Sequence, residues 1–510
     1  MRSPAGSEEK FRLRLKLLLS ALILCRALLL LWAPHTDPSE SRYAEISRKM
    51  VETGNWVTPQ FDYGVPFWAK PPLSMWMSAL GIKWFGANEF GSRIFIFIAA
   101  LGILVVVARA VRREIDATSG LVAATLLMGM PLFFYCSAAV MTDLALVFGT
   151  TLAMLAFRTA VLENSRRWGY VFFIGLAIGL LAKGPLVLVL AFPPIVGWIL
   201  LTGQWRRAWK CLPRISGTLL MMALSLPWYI IAERKTPGFI NYFIVGEHWK
   251  RFFINGWEGD LYGSAHAKLP GTIWVYLLMM TFPWCLGLLA IPFRRWREAR
   301  SWAMASDGRG LYWLLWALWT IVFFTPSRNI IVTYPLPALP ALAILMAGIF
   351  KQGAQAGFTW KRFNLLHPAL VMTCFGMIFL AGTLSLAFPD LQPDTTDKGL
   401  VRFFQSHRGP QDRLIYFGTR RFSAEFYTSG ETKNTESLQT LTEDLDSPGL
   451  LYVAMIARSW VELPAAVQSR LSPLTHRGHR LTDLYMESDK TRKDGVDPHK
   501  MSLNNTGEKP

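Results

Sequence analysis

Residues 17–50 read LLLSALILCRALLLLWAPHTDPSESRYAEISRKM. The first half, Leu17–Ala33, is almost wholly apolar, and a run of about 17–25 such residues is what a helix needs to cross a bilayer. The second half turns polar at once, with Asp37, Glu40, Arg42, Tyr43 and Glu45 just beyond the membrane edge. A chain that leaves a bilayer and immediately offers carboxylates and a guanidinium is carrying either a solvated loop with a surface helix or one half of a site. The topology of the whole chain separates the two.

The same alternation recurs along all 510 residues, which are 52% hydrophobic and 17% charged. The mean hydropathy is +0.28. Soluble domains carry about a quarter charged residues, so an ordinary globular protein is excluded. Apolar runs fall at Leu17–Ala33, Gly91–Ala108, Leu121–Ser137, Leu144–Leu162, Trp168–Leu181, Leu186–Leu201, Ile215–Ile231, Ile273–Phe293, Leu311–Phe324, Tyr334–Ile349 and Leu366–Phe388. They predict an all-α polytopic membrane domain of about 11 transmembrane helices, within a range of about 10–13. They lack the alternation of barrel strands. The first run follows Arg12, Arg14 and Lys16 without a small-residue cleavage site, and reads as a retained span.

Charge gives the orientation. The net charge of +18 sits mainly in short loops, RAVRRE, ENSRRW, GQWRRAWKCLPR, FRRWREARSW and KQGAQAGFTWKRF. With the N-terminus in the cytoplasm all five face that side. Basic residues so distributed meet lipid head groups, and without a compact basic unit interleaved with aromatics, nucleic acid is not a predicted partner. The five cysteines are scattered, with neither metal-ligand spacing nor a disulfide framework.

The predicted domain 1–389 has outer loops 34–90 and 232–271. After Phe388 the composition changes: RLIYFG and GLLYVAMI read as short buried strands, with AEFYTSG and LPAAVQSRL between or after them, so 390–486 is predicted as a small α/β domain. Residues 487–510 read as a disordered tail. No G-x-x-x-x-G-K-S/T or G-x-G-x-x-G loop occurs, so use of a soluble nucleotide has no support.

Charged or polar residues at span ends on the outer side are Asp37, Glu40, Arg42, Lys70, Asp143, Lys183, Glu247, His248, Arg251, Ser327 and Arg328. Charges at a bilayer boundary are costly unless paired or wetted, and their convergence on one face reads as a site. Lys and Arg hold phosphate oxygens, while a carboxylate accepts a proton from an attacking hydroxyl or stabilises charge at an anomeric carbon. Apolar helices offer a groove for a lipid tail. The inventory suits a polyprenyl-phosphate sugar. The bland readings are that Lys183, before Gly-Pro, caps a helix C-terminus, that His248 is a hydrogen-bonded interfacial histidine, and that the prolines of TYPLPALP are kinks, with Tyr334 in reach of the cavity.

The stretch HTDPSESRYAEISRKMVETGNWVTPQFDYGVPFWAKPPLSMW resembles the first outer loop of the aminoarabinose-transferase and protein-mannosyltransferase-like superfamily, integral-membrane glycosyltransferases of the GT-C fold. The likeness continues through MTD, LAKGP, LPWY, YFIVGEHWKRF and FFTPSRNIIVTYPLPALPALA, in order, over most of residues 30–350. It implies transfer of a sugar from an undecaprenyl-phosphate donor to an envelope acceptor such as lipid A at the outer face of a bacterial inner membrane, with the C-terminal domain periplasmic. It also implies that Lys70 contacts the donor phosphate, that Arg42 and Tyr43 flank the catalytic carboxylate, that Asp143 is a second acidic residue, and that Lys183, Glu247, His248, Arg251 and Arg328 line the cavity. Two departures weigh against assuming the aminoarabinose substrate. Ser39 stands where such members have an Asp beside the Glu, and Ala69 where they often have Glu before the lysine. Either Asp37 or Glu40 must then supply the first-loop carboxylate. Asp37 is preferred because Pro38 holds it extended, while Glu40 opens a helix that Ser39 could cap; Asp143 is next. No cofactor is implied with certainty, and a divalent metal is left open. A transporter or flippase of lipid-linked glycan, or transfer to protein hydroxyls, are the alternatives, although a flippase would carry its charges near the midplane in repeated halves.

Overall fold

The computed structural model describes residues 4–263, 266–285, 308–355, 395–476 and 482–487. The first long helix, α1 (Pro4–Trp32), ends where the apolar run ends. Among the described residues four helices are long and apolar enough to cross a membrane: Glu8–Trp32 of α1, α4 (Glu89–Glu114), α7 (Asp143–Glu163) and α11 (Arg214–Lys235). Shorter apolar helices include α5 (Ala117–Met128), α9 (Leu186–Thr202), Thr272–Thr281, Arg309–Phe324 and Leu336–Lys351. Burial sorts them. In α7, 89% of the most apolar window is covered by protein, against 28% in α1 and 22% in α11. α7 is therefore the central post. Ile215 and Leu219 of α11 are largely exposed among the described residues, a surface that suits lipid and not water.

α7 pairs closely with α8 (Arg166–Lys183) through small residues. A Cβ on Gly149 would come within 2.6 Å of the Gly179 nitrogen, and one on Gly175 within 2.6 Å of the Ala153 nitrogen. This is the small-residue contact by which membrane helices approach. Pro131 breaks the run Leu121–Ser137, expected as one span, into α5 and a six-residue α6 (Pro131–Cys136). Carbonyls left open at the end of α6 are satisfied from α1, where Arg26 donates to Phe134 O at 2.9 Å and to Tyr135 O at 2.8 Å. The expected span Tyr334–Ile349 begins with a 3-10 turn, Leu336–Ala338. Ile273–Phe293 is seen in part, and Leu366–Phe388 lies outside the described residues.

The segment 34–90, predicted as the first outer loop, is more ordered than a loop. It holds the amphipathic helix α2 (Ser39–Thr53), a small hairpin of β1 (Gln60–Asp62) and β2 (Val65–Pro66), and the apolar helix α3 (Leu73–Phe85). Pro38, not Ser39, occupies the cap position of α2, without a side-chain cap bond.

Strands β3 (Arg413–Phe417), β4 (Lys433–Thr435), β5 (Leu451–Ile456), β6 (Leu471–His476) and β7 (Thr482–Glu487) form one mixed sheet in the order β4-β3-β5-β7-β6. β3 runs parallel to β4 and β5, while β7 is antiparallel to β5 and β6. Alternate residues feed two cores. Leu414, Tyr416, Tyr452 and Ala454 pack with the helix Lys398–His407, and Ile415, Val453 and Met455 pack with Leu441 and Leu445.

This sheet unit is clamped to the first outer segment. Lys49 of α2 lies 3.2 Å from Glu425, and Tyr427 takes the His35 N–H at 2.9 Å while donating to Glu89 at 2.9 Å. Lys398 ion-pairs with the same Glu89.

Candidate functional site

Lys70 sits between β2 and α3, in a Trp-Ala-Lys-Pro-Pro turn whose prolines fix the backbone. Its ammonium lies 2.5 Å from the Glu247 carboxylate, which belongs to a π-helical stretch, Asn241–Lys250, of the second outer loop. Arg251, one turn on, approaches the same carboxylate at 3.0 Å and Asp260 at 3.2 Å. Burial alone would raise the Glu247 pKa, but Lys70 and Arg251 outweigh it and hold the group below the usual carboxylate range. Burial lowers the Arg251 pKa less than Glu247 and its neighbours raise it, so the guanidinium stays charged.

A second cluster adjoins this one. Lys183 ends α8 and Asp143 begins α7, and their charged atoms are 2.7 Å apart. The left-handed Gly184 (φ 68°) turns the chain directly after the lysine. Nε2 of His248 lies 3.1 Å from the Lys183 carbonyl and Nδ1 lies 2.8 Å from that of Phe243; a neutral ring donates to one of these carbonyls, and with its proton on Nε2 it ties the π-helical stretch to the end of α8. Burial is the largest influence on His248 and lowers its pKa, favouring the neutral ring. The Lys183 ammonium stands 5.7 Å from the ring of Tyr334.

Arg42 and Tyr43 join through Tyr262. Arg42 donates to the Tyr262 carbonyl, and its guanidinium lies 5.5 Å from the Tyr43 ring. The Tyr262 hydroxyl donates to Pro66 O at 2.8 Å and accepts the Trp68 N–H at 3.0 Å, two residues from Lys70. Tyr262 and Asp260 lay inside a predicted outer loop but were not singled out. An acidic and an aromatic residue in one outer loop was the available signal. Ser327 is buried beside Asn329, whose amide donates to the Arg251 carbonyl at 2.6 Å, so that turn braces the site from behind. Arg328 is exposed, and its carbonyl takes the Lys268 N–H at 2.8 Å.

The first-loop carboxylates are held by other partners. Asp37 is the carboxylate that the sequence favours for catalysis. Its carboxylate instead accepts the Ser423 N–H at 3.0 Å and the Ser423 hydroxyl, at the start of the helix Phe422–Tyr427, whose early N–H groups need an acceptor. Burial raises its pKa to about 6 against the opposing Ser423 bonds. Glu40 is the alternative, read as opening a helix capped by Ser39. It is instead a buried hub: Arg93 reaches it at 2.8 Å, the Thr36 and Val140 N–H groups each at 3.2 Å, and His35 lies 3.6 Å away. Burial would raise the Glu40 pKa, but Arg93 and His35 hold it well below the ordinary value. Among the described residues no three His, Cys, Asp or Glu side chains are grouped to hold a metal ion.

Lipid-facing helices around α7, with a charged cluster built from two connecting segments at one end, define an integral-membrane protein with its polar site at the ends of its helices. Over 92% of this chain and 97% of the other, the fold matches the crystal structure of ArnT from Cupriavidus metallidurans bound to undecaprenyl phosphate, with a TM-score of 0.74 at 19% identity. Residues 15–243 match the family described as dolichyl-phosphate-mannose-protein mannosyltransferase. The undecaprenyl phosphate-alpha-4-amino-4-deoxy-L-arabinose arabinosyl transferase of Erwinia tasmaniensis is 31% identical over 366 residues, 69% of this chain and 61% of that protein. An enzyme so named (transferase 2) from Sodalis glossinidius is 33% identical over 61% of this chain and 55% of its own length. In sequence the chain is thus similar to aminoarabinose transferases and protein mannosyltransferases, and it shares the ArnT fold. It spans about 60% of the length of the curated relatives it matches.

Proposed function

We propose that the protein transfers a sugar from an undecaprenyl-phosphate donor to an envelope glycolipid, with lipid A as the acceptor. The observation that carries this reading is the meeting of Lys70 and Arg251 with the Asp143–Lys183 pair through His248. Lys70 and Arg251 hold the donor phosphate, Arg251 as a planar fork and Lys70 as a point charge. Asp143, whose partner is the site lysine Lys183, takes the place of Asp37 and Glu40, which hold the sheet unit and the buried Arg93, as the working carboxylate. The acceptor oxygen bonds to the anomeric carbon as the bond from that carbon to the phosphate oxygen breaks. The electron pair leaves with the polyprenyl phosphate, and the acceptor's proton passes to Asp143. Arg42, Tyr43, Tyr334 and Lys183 shape the sugar and acceptor side.

In this reading the chain divides into 1–389, 390–486 and a tail, crosses the membrane about eleven times with its N-terminus inside, and carries the sheet unit in the periplasm. Reporter fusions at Gly203, Arg297 and Asp412 then read cytoplasm, cytoplasm and periplasm. The function is tested with the full chain in lipid vesicles, given labelled undecaprenyl-phosphate aminoarabinose or hexose and lipid A, without soluble nucleotide sugar. Label moving onto lipid A supports the reading. Label crossing leaflets without covalent transfer refutes it in favour of a flippase.

A further inference from the structure

Beneath the two cations assigned to the donor phosphate lies an anion the reaction does not use. The Glu247 side chain is 2% exposed, while those of Lys70 and Arg251 are 19% and 20% exposed. Each cation thus keeps about a fifth of its side-chain surface open while resting on a buried carboxylate, which bonds Lys70 at 2.5 Å and Arg251 at 3.0 and 3.1 Å. Asp260 takes a further share of Arg251. A cradle of two bare cations would hold any phosphate strongly. This one is substantially neutralised before a ligand arrives.

The chemistry of the transfer makes that neutralisation consequential. A sugar linked to polyprenyl phosphate is a phosphodiester with one negative charge. The polyprenyl phosphate that leaves is a monoester whose second charge is largely present near pH 7. The product is thus more anionic than the substrate, and an unopposed pair of cations would favour the product and retain it. Resting on the assignment of Lys70 and Arg251 to the donor phosphate, we propose that Glu247 is a release element: a fixed counter-anion that limits how tightly the leaving polyprenyl phosphate is held and so keeps the enzyme turning over. Glu247 is a positioning residue in this account, acting through Lys70 and Arg251 without touching the reacting atoms. Product release sets turnover in many enzymes, so the effect belongs in kcat and product inhibition more than in chemistry.

The test measures undecaprenyl phosphate binding by the full-length protein in detergent, for wild type, Glu247→Gln, Glu247→Asp and Lys70→Ala, with steady-state transfer by each. Glu247→Gln is expected to bind undecaprenyl phosphate about tenfold tighter or more, a modest effect for a unit charge at this range in an effective dielectric of about 20. Its kcat falls, product inhibition sharpens, and the single-turnover rate holds. Glu247→Asp, whose carboxylate is drawn back by one methylene, is intermediate and decides the matter should the glutamine variant fail to fold. Equal or weaker binding by both Glu247 variants, with Lys70→Ala still abolishing binding, overturns the release role alone. Wild type failing to bind undecaprenyl phosphate, or Lys70→Ala binding as well as wild type, removes the phosphate assignment and this proposal with it.

Discussion

Glu40→Gln separates a catalytic carboxylate from a structural one. In the native protein the Glu40 carboxylate accepts Arg93 and Val140 on one oxygen and Thr36 on the other, and both Glu40 and Arg93 are 3% exposed. An amide of the same shape keeps one acceptor oxygen and presents two N–H groups to Arg93, Val140 or Thr36, which are all donors. Breaking a buried ion pair from one side costs about 3–5 kcal/mol, and because one acceptor survives, the lower end applies, about 3 kcal/mol. The assay is thermal unfolding in detergent followed by fluorescence-detected size exclusion, with transfer measured per folded molecule. We expect an apparent Tm lower by several degrees and near-normal turnover of the folded fraction. Glu40→Gln combined with Arg93→Met should recover much of the loss, because removing both members spares the fold an unpaired buried charge. An unchanged Tm with turnover reduced about 10²-fold or more would refute this reasoning and make Glu40 the general base.

Three further outcomes follow from the same geometry. Asp143→Asn should slow single-turnover transfer by about 10²–10⁴ with the protein still folded, and a near-normal rate would remove Asp143 from its role. Asp37 titrates near 6 in the folded protein against an ordinary 3.8, so its contribution to stability is fully present below the lower value and is lost as pH rises through the upper one. Limited proteolysis should therefore release the sheet unit more readily at pH 7 than at pH 4, by a margin that Asp37→Asn reduces; a margin unchanged in that variant would show that other groups govern it. Gly149→Val should reduce the yield of folded protein through overpacking worth about 1–3 kcal/mol or more, whereas normal expression would show that α7 and α8 can part without penalty.

Apolar length made the helices legible, because the hydrocarbon core of a bilayer selects for it. Leu144–Leu162 and Trp168–Leu181 fall inside α7 and α8. Leu121–Ser137 did not read correctly, because hydropathy is blind to the single Pro131 that splits it. In the sheet unit RLIYFG and GLLYVAMI coincide with β3 and β5, whose residues are mostly buried. β4, β6 and β7 were not foreseen, since KNT is polar and LSPLTH holds a proline. Asp143 and Lys183 announced themselves as charges at span ends, and Lys70, Glu247 and Arg251 as charges within the two long connecting loops. The duty of Asp37 did not, because its partner Ser423 is 386 residues away.

That separation has a bearing on synthesis. The first outer segment is among the earliest parts of the chain to emerge, yet Asp37, Lys49 and Glu89 wait for Ser423, Glu425 and Lys398. At about 5–20 residues per second the interval between Asp37 and Ser423 is about 20–80 s. During it Asp37 and Glu89 are without the Ser423 and Lys398 partners, and Lys49 keeps only its local pairs with Glu45 and Asp62. A ribosome that stalls late, or a message cut short, therefore yields a chain with most of its spans in place but its entrance segment unfinished, and cellular quality control can recognise that defect.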